Sequence, residues 1–125
     1  MIKDELENLN DYASDITSAD GTNGILIEIF KRLNINSGFC IEFGAADGVW
    51  NSNTNPFWSN GWEALLIEPD PEVFQVLLEN TKEFDKVSSL NCFVSPYLEG
   101  ENPRKSEGFA SLDKILDELN TTKVN

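Results

Sequence analysis

The segment Phe39-Cys-Ile-Glu-Phe-Gly-Ala-Ala-Asp-Gly48 constrains the fold of this chain more than any other. Its first residues are mostly apolar and give way at once to small residues and glycine, the pattern of a buried strand that ends in a tight turn. A second apolar run, Ala64-Leu-Leu-Ile67, closes on Glu68, twenty residues beyond Gly48. Strand, glycine turn, second strand and an acid at that distance form the pattern of a Rossmann-type α/β domain, where the acid accepts hydrogen bonds from ribose hydroxyls.

Glu42 and Asp47, beside and within the turn, bear on the ligand. A dinucleotide lays its pyrophosphate over the glycine turn and the positive end of the following helix, where a carboxylate repels it. S-adenosylmethionine carries no phosphate, and its sulfonium and ammonium are cationic, so carboxylates attract it through charge-assisted hydrogen bonds. The order Glu42-x-Gly44-x-Ala46-x-Gly48 also departs from the G-x-G-x-x-G of nicotinamide enzymes. On the loop alone, a glycine turn that holds no cofactor is an open alternative.

Further along, the string GAADGVWNSNTNPFWSNGWEALLIEPDPEVFQVLLEN resembles the FkbM-type S-adenosylmethionine-dependent methyltransferases. The resemblance rests on Gly44 to Gly48, Ser52-Asn53-Thr54, Gly61-Trp62 and Ile67-Glu68-Pro69, and spans roughly residues 20 to 119. It implies a Rossmann-like methyltransferase fold, here truncated to about three parallel strands with flanking helices. It also implies methyl transfer to an oxygen of a small molecule or sugar. For the cofactor it implies a loop made of Glu42, Gly44, Ala45, Ala46, Asp47 and Gly48. Asn53 comes from the Ser-Asn-Thr signature, Glu68 meets the ribose hydroxyls with Pro69 beside it, and Cys92 and Phe93 lie near the adenine at the third strand's end. Asn53 and Thr54 have a plainer reading as a turn in which Thr54 caps a short helix around Phe57 and Trp58. Trp62 reads as core over the start of the second strand or as a substrate platform. Asp47 is the one acid near the methyl end to test as a catalytic base, against a role in forming the turn.

In the family, the segment matching Ser111 to Leu116 is followed by a strand ending in Asp-x-Glu-Gly. Here the sequence ends at Asn125, with Thr121-Thr-Lys-Val-Asn125 as a lead-in to that strand. The resemblance therefore implies the cofactor-binding half of a methyltransferase: a natural truncation, a gene fragment or one half of a split enzyme. The family's sheet order of third, second, first, fourth leaves Phe39 to Phe43 as an open apolar edge when the fourth strand is missing. Such edges template pairing with another chain, so self-association or a partner chain through that edge is expected. The alternatives are a non-catalytic Rossmann-like interaction protein and a nicotinamide-binding fragment.

At 125 residues the chain allows one domain. Ile2, Leu6, Leu9, Tyr12 and Ile16 recur at helical spacing, which predicts an N-terminal amphipathic helix within residues 1–18, ahead of a partial methyltransferase domain over 19–125. Further helices are expected over Ile25 to Leu33, from Asp70-Pro71 with Val73, Phe74, Leu77 and Leu78 inward, and over Ser111 to Leu119. Ser88 to Val94 reads as the third strand, and Pro96 to Gly108 as a loop.

A net charge of −13, with nine basic residues in no stripe, argues against nucleic acid and anionic membranes. No run reaches the ~20 apolar residues of a membrane helix, and the N-terminus lacks a secretory apolar stretch. Cys40 and Cys92 fall in strands that are not expected to be neighbours. They read as free thiols of a reducing compartment, so a cytoplasmic location is expected. Without histidine, no Ser-His-Asp, Cys-His or imidazole zinc site forms. Glu99 and Glu101 read as solvated acids rather than a hard-cation site, and no metal is expected.

Overall fold

The computed structural model of the chain describes residues 8–95 and 109–124. After a 3₁₀ turn at Leu9–Tyr12 come α1 (Thr22–Arg32), β1 (Phe39–Phe43), α2 (Asn55–Trp58), β2 (Glu63–Ile67) and α3 (Pro71–Thr81). They are followed by β3 (Val87–Leu90), β4 (Phe93–Ser95), β5 (Phe109–Ser111) and α4 (Leu112–Val124). The fold is α/β. β1, β2 and β3 form a parallel sheet in that order, with Phe43 opposite Ile67 and Ile67 opposite Leu90.

The pleat of β2 divides the core in two, because successive side chains of a strand point to opposite faces. Ala64 and Leu66 pack with Ala45, Trp58 and Leu77, while Leu65 and Ile67 pack with Cys92 and Ile115. Burial on both faces is what a central parallel strand requires, and it explains the uninterrupted apolar run. Leu66, Ile67 and Leu77 are fully buried, each stabilising the fold by roughly 1.5–3 kcal/mol. A third packing unit joins Phe30 of α1 to Phe57 and Trp62, with ring centroids 5.0–5.4 Å apart. Trp62 is buried and donates its indole N–H to the Asn36 carbonyl at 3.1 Å.

α3 starts as its sequence predicts. Pro71 occupies the first turn, and Asp70 Oδ1 accepts the N–H groups of Glu72 and Val73 at 2.9 and 3.1 Å. Its buried stripe is narrower than expected: Leu77 is enclosed and Leu78 is exposed. Leu33, expected on the inward face of α1, is also exposed, since the helix ends at Arg32 and Asn34 turns into a left-handed conformation at φ 57°.

Three expectations change. Of the helix expected over 2–16, residues 1–7 lie outside the described residues, Leu9–Tyr12 is only a 3₁₀ turn, and 13–20 is a non-helical strap. There Asp15 Oδ1 accepts from Ser18 Oγ and Gly21 N, both at 2.8 Å, a local bonding pattern that competes with helix. The expected third strand is two short strands. After Leu90 the side-chain amide of Asn91 donates to the carbonyls of Glu68 and Pro69 at 2.8 and 3.0 Å. β4 then pairs in parallel with β5 in a separate two-stranded sheet. Finally, α4 runs to Val124, so Thr121 to Val124 continue a helix instead of leading into a strand. Of the 96–108 segment, the expected loop with Glu99 and Glu101 lies outside the described residues. Among the described residues no helix is long and apolar enough to cross a membrane.

Candidate nucleoside site at the strand ends

The site is built where β1 and β2 end side by side. After Phe43 the backbone turns at Gly44, φ 65°, and again at Ala46, φ 52°. The left-handed conformation at Gly44 favours glycine, and a Cβ there would meet nothing within 4 Å. The loop is fastened to β2 by two bonds: Ala45 N–H donates to the Ile67 carbonyl, and Ala46 N–H to Glu68 Oε1, both at 2.9 Å. At its far end Gly48, φ 85°, lies so close to α3 that a Cβ would sit 2.9 Å from Leu77 Cδ1.

The acids that the sequence places here have different uses. Glu42 is taken up internally: its Oε2 accepts from Ser52 Oγ at 2.9 Å and Thr54 Oγ1 at 2.8 Å, and its Oε1 from Asn53 N–H at 2.8 Å. Three of about four acceptor positions are thus filled by the Ser-Asn-Thr turn. These bonds fasten the Ser52-Asn53-Thr54 turn to the first strand, Asn53 taking part through its backbone N–H. Thr54 occupies the cap position of α2 without capping it, because its hydroxyl goes to Glu42. Ser52 Oγ instead accepts from the N–H groups of Thr54 and Asn55 at 3.3 and 3.0 Å. Asp47 Oδ1 accepts from Val49 and Trp50 N–H at 2.9 and 2.7 Å, the bonding of a turn-forming aspartate.

Glu68 is buried, yet among the described residues two donors reach it, Ala46 N–H on Oε1 and Asp70 N–H on Oε2 at 2.8 Å. One acceptor position per oxygen is left. Its chain neighbours Ile67 and Pro69, though not Glu68 itself, line a groove of about 420 Å³ together with Phe43, Gly44, Cys92 and Phe93, and with Val94 and Ser95. Of the residues named from sequence, Gly44, Pro69, Cys92 and Phe93 line this groove. Ala45 is core, and Ala46 and Gly48 act through their backbones. The Cys92 thiol is pushed up by burial, and the Cys40 thiol to about 11 by burial and then by the neighbouring Glu42 charge. Both are held as neutral thiols, and both are free.

One residue the sequence reading missed organises the surroundings. Asn23, fully buried, accepts on Oδ1 from the N–H groups of Ile16, Thr17 and Ser18 at 2.7–3.0 Å. Its Nδ2 donates to the carbonyls of Ser52 and Asn53 at 3.2 and 3.4 Å. The side chain therefore ties the strap to the turn held by Glu42. Its one sequence signal is an asparagine just inside a helix, where its type is disfavoured unless the side chain has other work.

Neither the family models, the curated proteins nor the solved structures that were compared with this chain gave a match. Among the described residues no group of three or more His, Cys, Asp or Glu side chains is placed to hold a metal.

Proposed function

We propose that this chain is the S-adenosylmethionine-binding part of a methyltransferase that transfers a methyl group to an oxygen of a small molecule or sugar. The observation that carries the proposal is an apolar groove at the ends of β1 and β2, lined by Ile67 and Pro69 on either side of a half-satisfied buried carboxylate, Glu68. Ligands of parallel α/β sheets bind outside the carboxyl ends of the strands. A ribose offers two adjacent hydroxyl donors, and Glu68 has one acceptor position on each oxygen. An adenine fits between Pro69 and the Cys92-Phe93 segment, and the open space over Gly44 leaves room for the chain beyond the ribose.

The nicotinamide alternative is disfavoured by the same loop. A dinucleotide needs the first free N–H groups of a helix that follows the glycine turn directly. Here the turn is followed by several more loop residues and the four-residue α2, and the N–H groups at its start already donate to Ser52. Asp47 adds negative charge where pyrophosphate would lie.

S-adenosylmethionine would supply an electrophilic methyl on a sulfonium. The residues of this chain orient the nucleoside through Glu68, exclude water from one ring face through Phe93 and Pro69, and hold the loop rigid through Ala46 and Gly48. No catalytic base is assigned; Asp47 spends one oxygen on its turn. Equilibrium dialysis of the full chain against S-adenosylmethionine and, separately, NADH tests the reading. Saturable uptake of the first alone is expected. Uptake of NADH alone would transfer the site to hydride chemistry, and uptake of neither would favour the non-catalytic interaction protein.

A further inference from the structure

A second groove, of about 450 Å³, lies between the strap and the loop after Gly48, lined by Ile16, Thr17, Ser18, Ala19, Val49, Trp50 and Asn51. Its apolar residues are unusually open: Trp50 is 73% exposed, Ile16 65% and Val49 44%, whereas Trp58 and Trp62 are buried. Scattered apolar residues on a surface need no explanation, whereas these three gather around one groove.

The groove is built rather than left over. Asp47 Oδ1 holds the N–H groups of both Val49 and Trp50, and Asn51 reverses the chain at φ 60°. Across the groove Asn23 fixes Ile16, Thr17 and Ser18, and Thr17 Oγ1 donates to the Ser52 carbonyl at 2.8 Å. The two walls are thereby locked to each other, and the backbone that carries Trp50 is held in place.

Charge decides what can sit there. The residues lining the groove include no Lys or Arg; the basic side chains near the strap, Lys31 and Arg32, stand on its other side, where Lys31 lines a neighbouring groove with Ile16 and Arg32 lies over the Tyr12 ring. Asp15, Asp20 and Asp47 stand in or next to the lining segments. A second copy of a chain of net charge −13 would be repelled, as would nucleic acid or an anionic bilayer. We propose that this groove docks a basic segment of a partner protein, in which an aliphatic side chain packs on Trp50, Ile16 and Val49 while flanking Lys or Arg side chains meet the aspartates. The site is separate from the nucleoside groove, with which it shares no lining residue.

The test uses the full chain and three short tryptophan-free peptides alternating lysine with leucine, glutamate with leucine, and lysine with serine. Trp50 is the exposed tryptophan, so acrylamide quenching reads this site directly. The lysine-leucine peptide should bind saturably, shift the emission to the blue and protect it from quenching, and the other two should not. Trp50→Ala should weaken binding about tenfold or more, as removal of an aromatic anchor does. Asp20→Asn, at a left-handed position that asparagine tolerates, should weaken it about twofold at low salt and not at high salt. Trp50 that stays quenchable at saturating lysine-leucine peptide would overturn the proposal, as would equal binding of the glutamate-leucine peptide or equal binding by Trp50→Ala. Protection of Trp50 by raised protein concentration alone would also overturn it, in favour of a second copy.

Discussion

β1 and β2 are neighbouring parallel strands that each carry a glutamate at the carboxyl end, and the two ends are used in opposite ways. Glu42 receives three donors from one turn, two of them side-chain hydroxyls ten and twelve residues away. Glu68 receives two backbone donors and keeps an acceptor position on each oxygen. The contrast teaches that an acid beside a glycine loop does not by itself mark a ligand contact. What separates scaffold from site is how many of its acceptor positions the fold already fills. The strands differ in the same sense: β2 is buried on both faces, whereas Phe43 at the end of β1 is half exposed and lines the groove.

The largest effect that would break this comparison is on stability. Glu42→Ala strands the hydroxyl of buried Ser52, the hydroxyl of Thr54 and the Asn53 N–H, and should cost about 3 kcal/mol, a fall in Tm on the order of 10 °C by calorimetry. Asn23→Ala should cost a similar amount, because it frees three N–H groups and two carbonyls in the same network. A loss below about 0.5 kcal/mol in either, the level of an ordinary surface change, would mean that the turn does not depend on that network.

Glu68→Gln should behave differently. It keeps an acceptor for one backbone N–H, so stability should drop by about 1 kcal/mol or less, while affinity for an adenine nucleoside ligand should fall about tenfold. Smaller still is the effect on the thiols. Because Cys92 lines the groove, iodoacetamide labelling followed by mass spectrometry should show Cys92 slowed by S-adenosylhomocysteine and Cys40 unaffected.

Alkaline pH should also weaken the fold. The Cys40 thiol is raised from 9.0 to about 11 in the folded chain. A raised folded pKa means that the folded state holds the proton more tightly than the unfolded state. Its contribution to stability is therefore whole below pH 9.0 and is lost as pH rises from there through about 11. Cys40→Ala should flatten the decline of Tm over that window; an unchanged slope would place the thiol's effect elsewhere.

Much of the framework was legible because it rests on local patterns. The apolar runs of β1 and β2 and the Asp70-Pro71 start of α3 are read from neighbouring residues. The split between β3 and β4 was not, since the Asn91 amide that interrupts the strand bonds to carbonyls more than twenty residues away. β5 escaped notice as a strand of three residues, too short for alternation to register. The strap was misread as helix because Leu9, Tyr12 and Ile16 keep helical spacing, while the deciding bonds come from Asp15 and Asn23. At the site, residue type was legible and availability was not. Glu42, Asp47 and Glu68 look alike in a sequence, and their hydrogen-bond partners alone separate them.

The most direct measurement is a calorimetric titration of S-adenosylhomocysteine into the native chain, Glu68→Gln and Glu42→Gln, at a temperature where all three are folded. Binding by the native chain, weakened about tenfold in Glu68→Gln and unchanged in Glu42→Gln, is the predicted result. Absence of binding, or an equal loss in Glu42→Gln, would contradict the assignment of one strand end to ligand and the other to scaffold.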